Sequence, residues 1–172
     1  MKHGFTLIEL MVAVSIIGVV LLAVTQMLVQ SLIGAAKAEA IARVKNNGDA
    51  ALVAIERAIR EGTGLDVSET QFDCTSGSSK LKFTNTANDE IVVDSDTNRL
   101  RITEGASSRY VTEADVAVQN NTLEFYCTDL PDGRRDKVRV SFTLDYNAGA
   151  KASRTVTTNF YTSVMLRNTQ EN

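Results

Sequence analysis

Apolar positions follow three different rhythms along this chain. From Leu10 to Ala36 there are 27 consecutive residues without a charge, bracketed by Glu9 and Lys37. A bilayer core takes roughly 20 apolar residues in a helix, so the richest part, Leu10 to Ile33, can span one. Beyond Lys37, Ile41, Val44, Gly48, Leu52, Ile55 and Ile59 recur every three or four residues, which predicts an amphipathic helix with one mostly apolar stripe. Glu39/Arg43 and Glu56/Arg60 stand four apart on its polar side. Were residues 5–61 all helical, they would extend about 85 Å at 1.5 Å per residue. Asn46-Asn47-Gly48 is a triplet of poor helix formers and predicts a kink or a melted turn.

After Glu61 come Gly62 and Gly64, and the period shifts to two. Leu81 and Phe83 alternate with Lys80 and Lys82. Ile91-Val92-Val93, the polar stretch Asp94–Asn98, and then Leu100 and Ile102 between Arg99 and Arg101 read as a hairpin. Val116 and Val118 form a short strand. Leu123, Phe125 and Cys127 share one face, as do Val138, Val140, Phe142 and Leu144; Val156, Phe160 and Val164 line a last strand. This predicts an antiparallel sheet with one covered face. The obvious cover is the apolar stripe, making an α+β fold: a long N-terminal helix packed on a C-terminal β-sheet head.

Net charge is −3, and the head from residue 62 onward has 12 basic against 16 acidic residues, which argues against a dedicated nucleic-acid binder. The one histidine is His3, which removes Ser-His-Asp and Cys-His catalysis and most zinc sites. Two cysteines, Cys74 and Cys127, suffice for one disulfide but not for a cysteine-only zinc site. Bridged, they would close a long loop worth about 4 kcal/mol in the chain-entropy account. Two buried free thiols are the alternative.

The N-terminus admits plainer readings. A secretory signal has an apolar region of about 7–15 residues, and this run is roughly twice as long, although Ala36-Lys37-Ala38 offers an ordinary cleavage site. An uncleaved signal anchor is the other plain reading. Neither accounts for Glu9, since a carboxylate near a membrane centre costs about 2.5–3.5 kcal/mol. It either sits at headgroup level or meets a positive partner in an assembly.

Lys2-His3-Gly4-Phe5-Thr6-Leu7-Ile8-Glu9-Leu10, running on through Met11 to Gly18, resembles the class III leader of type IV pilins and type II secretion pseudopilins. The combination is specific: a short basic leader, Gly, Phe, an apolar stretch, and Glu at the fifth mature position. The resemblance implies cleavage between Gly4 and Phe5 by a membrane prepilin peptidase and N-methylation of Phe5. It further implies that Glu9 attracts the charged amine of a neighbouring subunit during assembly. An ammonium and a carboxylate close together in low dielectric offset each other's desolvation. Many family members have a proline in the membrane half of this helix. Here the only proline is Pro131, so Gly18 or Gly34 would have to supply any curvature.

On this reading residues 1–4 are a leader, 5–33 a transmembrane and filament-core helix, 34–61 its amphipathic continuation, and 62–172 the β-rich head. The positive-inside rule, with Lys37, Arg43 and Lys45 beyond the apolar run, favours a head in the cytoplasm. The resemblance and the cysteine pair favour the periplasm or cell exterior instead, with a single-pass anchor in the inner membrane. Helix, meander and terminal strand together look like a minor pilin or the J-type minor pseudopilin.

Three further candidates are weaker. Asp94-x-Asp96-x-Asn98 begins like a calcium loop, but Arg99 replaces the glycine and Gly105 stands where the bidentate glutamate belongs, so a solvated hairpin turn is expected. Arg134, Arg135, Lys137 and Arg139, interleaved with Asp132 and Asp136, read as a solvated strand edge rather than a patch for DNA or a partner. Asp89 and Glu90 are adjacent, and in a strand would point to opposite faces, so no glycosidase-type acid pair is indicated. The expected protein is a structural subunit, not an enzyme, without cofactor or metal. Its expected partners are sibling subunits, the peptidase, an inner-membrane assembly platform and, before assembly, lipid; nucleic acid is not among them. The alternatives are a major pilin for adhesion, motility or DNA uptake, and a periplasmic binding domain on a simple signal anchor.

Overall fold

A computed structural model describes residues 6–65, 70–128, 137–147 and 155–166. One helix, α1, runs Leu7–Glu61. The chain divides into two units, Met1–Glu39 and Ala40–Asn172. Residues 40–61 of α1 therefore belong with the head.

Within the head unit, β1 (Gly62–Leu65), β2 (Leu81–Asn85), β3 (Glu90–Asp96), β4 (Arg99–Glu104) and β5 (Ser107–Tyr110) form one antiparallel sheet in sequence order. A second sheet is built on β8 (Lys137–Asn147). It pairs with β6 (Val116–Val118) and β7 (Glu124–Thr128), and β9 (Thr155–Met165) runs along it for its full length. The α+β architecture thus agrees with the sequence pattern, but the single predicted sheet is two. The reason is local. The chain between β5 and β6 returns Val118 to donate to the Asn98 carbonyl at 2.7 Å, after which pairing restarts on β8 rather than continuing from β5.

Most of the predicted inward residues make the core, but Ile41 of the expected stripe is exposed and Leu52 and Val156 are only half-buried. Leu81, Phe83, Val93, Leu100, Val116, Phe125, Val138, Val140, Phe142 and Leu144 are buried, together with Val44, Ala51, Ile55 and Ile59 of α1. Phe142 and Phe160 stack with ring centroids 5.5 Å apart. Cys74 and Cys127 are joined by a disulfide, which ties the segment before β2 to β7. The Cys127 N–H also donates to the Cys74 carbonyl at 2.8 Å.

The Asn46-Asn47-Gly48 triplet does not melt: α1 is helical throughout it. Asn47 Nδ2 donates to the Arg43 carbonyl at 3.1 Å, and Asn47 Oδ1 accepts the Glu113 N–H at 2.9 Å. The Phe160 ring lies where a Cβ on Gly48 would be. Poor helix propensity, worth about 1 kcal/mol for glycine, is outweighed by contacts that only these side chains permit.

The hairpin turn is shorter than the pattern implied. Asp94 and Asp96 lie in β3 opposite Arg101 and Arg99, and only Thr97 and Asn98 turn, both at positive φ (49° and 59°). Arg101 donates to both Asp94 oxygens (3.0 and 2.7 Å) and to Asp96 (3.0 Å). The hydrogen bond to Asp94 holds the Arg101 pKa above the ordinary guanidinium value, with the nearby charges adding to it. These carboxylates are a strand-bound ion pair rather than a solvated turn. Lys137 and Arg139 are likewise not on a strand edge, because β8 is flanked on both sides. Arg134, Arg135, Asp132, Asp136 and Pro131 lie outside the described residues.

Candidate functional site: the apolar segment and Glu9

In the unit Met1–Glu39, the 3.6-residue period distributes apolar side chains around the whole helix rather than along one stripe. Leu7 is 78% exposed and Met27 75%, and the apolar stretch is unburied throughout. It is long and apolar enough to cross a membrane. Its few hydroxyls are turned back on the helix: Ser15 Oγ donates to the Met11 carbonyl and Thr25 Oγ1 to that of Leu21, each at 2.8 Å. That removes the cost of carrying them into a medium without water. A Cβ on Gly18 or Gly34 would meet nothing, so neither glycine is required by packing within the chain.

Glu9 lies at the start of this helix. Thr6 is the N-cap, and its carbonyl accepts the first helical bond from Leu10 at 3.3 Å. The Thr6 N–H and hydroxyl both donate to Glu9 Oε2, at 3.0 and 2.9 Å, while the Glu9 N–H donates to Thr6 Oγ1 at 3.4 Å. This reciprocal arrangement is a capping box, Thr-x-x-Glu. It satisfies donors that a helix beginning in an apolar medium could not leave open. The second oxygen, Oε1, receives no hydrogen bond from the described residues and remains available to a donor from outside the chain. Beside it, Ile8, Val12, Ala13 and Ile16 line an apolar furrow along the same face.

Reading the chain for charge and hydropathy identified Glu9 but missed Thr6. The spacing Thr6-x-x-Glu9 was the available signal. Gly4 and Phe5, the expected cut and methylation positions, lie outside the described residues. Cys74 and Cys127 belong to the head unit. Among the described residues no group of three or more His, Cys, Asp or Glu is arranged to hold a metal.

Residues 1–25 match the family model of the prokaryotic N-terminal methylation motif, the class III prepilin leader. The match is consistent with the type IV pilin and pseudopilin family, and the head has the α+β, pilin-like architecture that goes with it. No curated protein and no solved structure matches the chain.

Proposed function

We propose that this chain is a structural subunit, a minor pilin or pseudopilin, of a type IV pilus or type II secretion-type filament. A prepilin peptidase cuts between Gly4 and Phe5, and the new Phe5 amine is N-methylated. Before assembly the apolar segment resides in the inner membrane with the head on the periplasmic side. During assembly lipid contacts are exchanged for the helices of sibling subunits. The observation that carries this reading is the motif over residues 1–25 running into a helix with no partner for its apolar surface inside the described chain.

Glu9 supports the assembly step. Its Oε2 is satisfied by Thr6, while Oε1 can accept from the terminal ammonium of a neighbour. Pairing there offsets two desolvation costs and rewards one docking register over others.

Intact-mass measurement of the protein purified from its own host tests the processing step. The expected species lacks Met1 to Gly4 and has one added methyl; an intact N-terminus would favour a simple signal anchor. Glu9→Ala is expected to leave membrane insertion unchanged and to lower recovery in sheared filaments by about tenfold or more, the equivalent of about 1.4 kcal/mol. Normal recovery of that variant would count against the amine-pairing account. Trace abundance relative to other subunits supports a minor role, and stoichiometric abundance a major pilin.

A further inference from the structure

We propose, resting on the filament reading above, that the cleft between α1 and β5 is a contact between copies of this chain, in which Asp49 of one copy pairs with Arg57 and Arg109 of the next.

The cleft has a volume of about 450 Å³ and is lined by Asp49, Ala50, Val53, Ala54 and Arg57 of α1 and by Arg109 of β5. All six belong to the head unit. Its wall is small or aliphatic. Ala50 and Ala54 carry nothing beyond Cβ, and Val53 is 66% exposed, so a second surface can come close and still bury apolar area. Charge sits at the two ends. Asp49 and Arg57 are eight residues apart on α1, about 12 Å at 1.5 Å per residue. Arg109 stands at the Arg57 end, because both also line the adjoining cleft toward Glu61. Its strand explains the position. Arg109 pairs in register with buried Ile102 and so projects on the core-facing side of its sheet, yet β5 is the edge strand and the side chain remains exposed.

The partners are uneven. Arg57 donates to Glu61 at 2.9 Å, and Glu104, in the adjoining cleft, accepts from Asn85 Nδ2 at 3.3 Å. The side chains of Asp49 and Arg109 have no hydrogen bond or ion pair among the described residues, not even with each other. One cleft thus carries an unpaired anion at one end and an unpaired cation at the other. Each end is the electrostatic complement of the other, and that names the occupant. A second copy displaced by about 12 Å along α1 sets its Asp49 level with Arg57 and Arg109 of the first, where a guanidinium can take both carboxylate oxygens. Its own cationic end stays open for a third copy. With that axial displacement the contact cannot close into a ring and repeats as an open helix, as a filament requires. An occupant bearing one sign of charge would leave an end of the cleft unpaired. Exposed ion pairs add little affinity. This one fixes the register in which heads meet, whereas like charges brought together there repel.

The test uses the full chain in detergent. Arg109→Lys keeps the charge and supplies an amine that a carbodiimide joins to a touching carboxylate. Equal amounts of 15N-labelled and unlabelled protein are mixed, cross-linked, digested and analysed by mass spectrometry. The expected product links the segment around Asp49 to the substituted position in β5, with labelled and unlabelled halves combined. Asp49→Arg and Arg109→Asp, both at exposed positions, should each lower self-association about tenfold or more through like-charge contact, read by sedimentation equilibrium. The double variant Asp49→Arg, Arg109→Asp restores opposite charges across the contact and should return association to near its original strength; a loss of packing alone would not be rescued. Links confined to one label, links from β5 to a different carboxylate, or no rescue in the double variant would each overturn the proposal. So would a link, in membranes of its own host, to a different polypeptide instead of a second copy. Glu9→Ala should leave the cross-link at Asp49 in place, so failure here is separable from failure of the filament reading.

Discussion

Val12 and Val44 are the same residue on the same helix, yet Val12 is 54% exposed and Val44 is fully buried. The helix does not differ between them; the surroundings do. In the head unit, one face of α1, with Val44, Ala51, Ile55 and Ile59, is buried in the core, and burial of each large aliphatic side chain is worth about 1.5–3 kcal/mol. In the unit Met1–Glu39 every such contribution is still outstanding, and exposed apolar surface on that scale marks an interaction site or a membrane segment. The head completes its own core, whereas the apolar segment must find lipid or sibling helices.

Variants in the two regions should therefore have separable consequences. Gly4→Leu should have the largest effect: the leader stays attached by N-terminal sequencing and filament recovery is abolished, while the melting of the head is unchanged. Loss of head stability in that variant would break the separation. Phe160→Ala should lower head stability by about 3–5 kcal/mol through the cavity left beside Phe142 and Gly48, read by thermal unfolding, with leader cleavage unaffected. Asn47→Ala should cost about 1–3 kcal/mol, because the Glu113 N–H loses its acceptor in a half-buried setting. Thr6→Val should have the smallest effect on the helix itself, about 1 kcal/mol from loss of the cap, visible as frayed amides by hydrogen exchange near the start of α1. A larger loss of filament recovery in Thr6→Val than this predicts would mean that the capping box also positions Glu9 for its neighbour.

Long, repeated patterns were legible from the residues. The charge-free run, the apolar stripe of α1 and the inward alternation of β2, β4 and β8 each contain enough residues for one period to dominate. The division into two sheets was not, because every sheet-forming segment alternates alike and only pairing distinguishes them. Strand β5 was missed since all four of its residues are exposed and no alternation betrays it. Asn46-Asn47-Gly48 misled because propensity is a local preference, and the compensating groups, Glu113 and Phe160, lie far along the chain. The carboxylates Asp94 and Asp96 looked like turn residues until Arg101, on the facing strand, accounted for both. At the candidate site, Glu9 stood out because a charge in oil is conspicuous, whereas a threonine three residues earlier is not.

Asn47 has a mechanical consequence. It is held at both ends of its amide, by the helix it sits on and by the loop before β6, and Arg43 bridges to Asp115 in that loop at 3.2 Å. Tension applied along this part of α1 would have to shear the two contacts that cross from helix to loop, Asn47 to the Glu113 N–H and Arg43 to Asp115, together rather than peel them one by one. A slip of one helical turn, about 5.4 Å, would carry Asn47 Oδ1 out of reach of the Glu113 N–H. The side chain thus acts as a ratchet tooth, and the head should resist being dragged along its own shaft until the whole toothed contact fails at once.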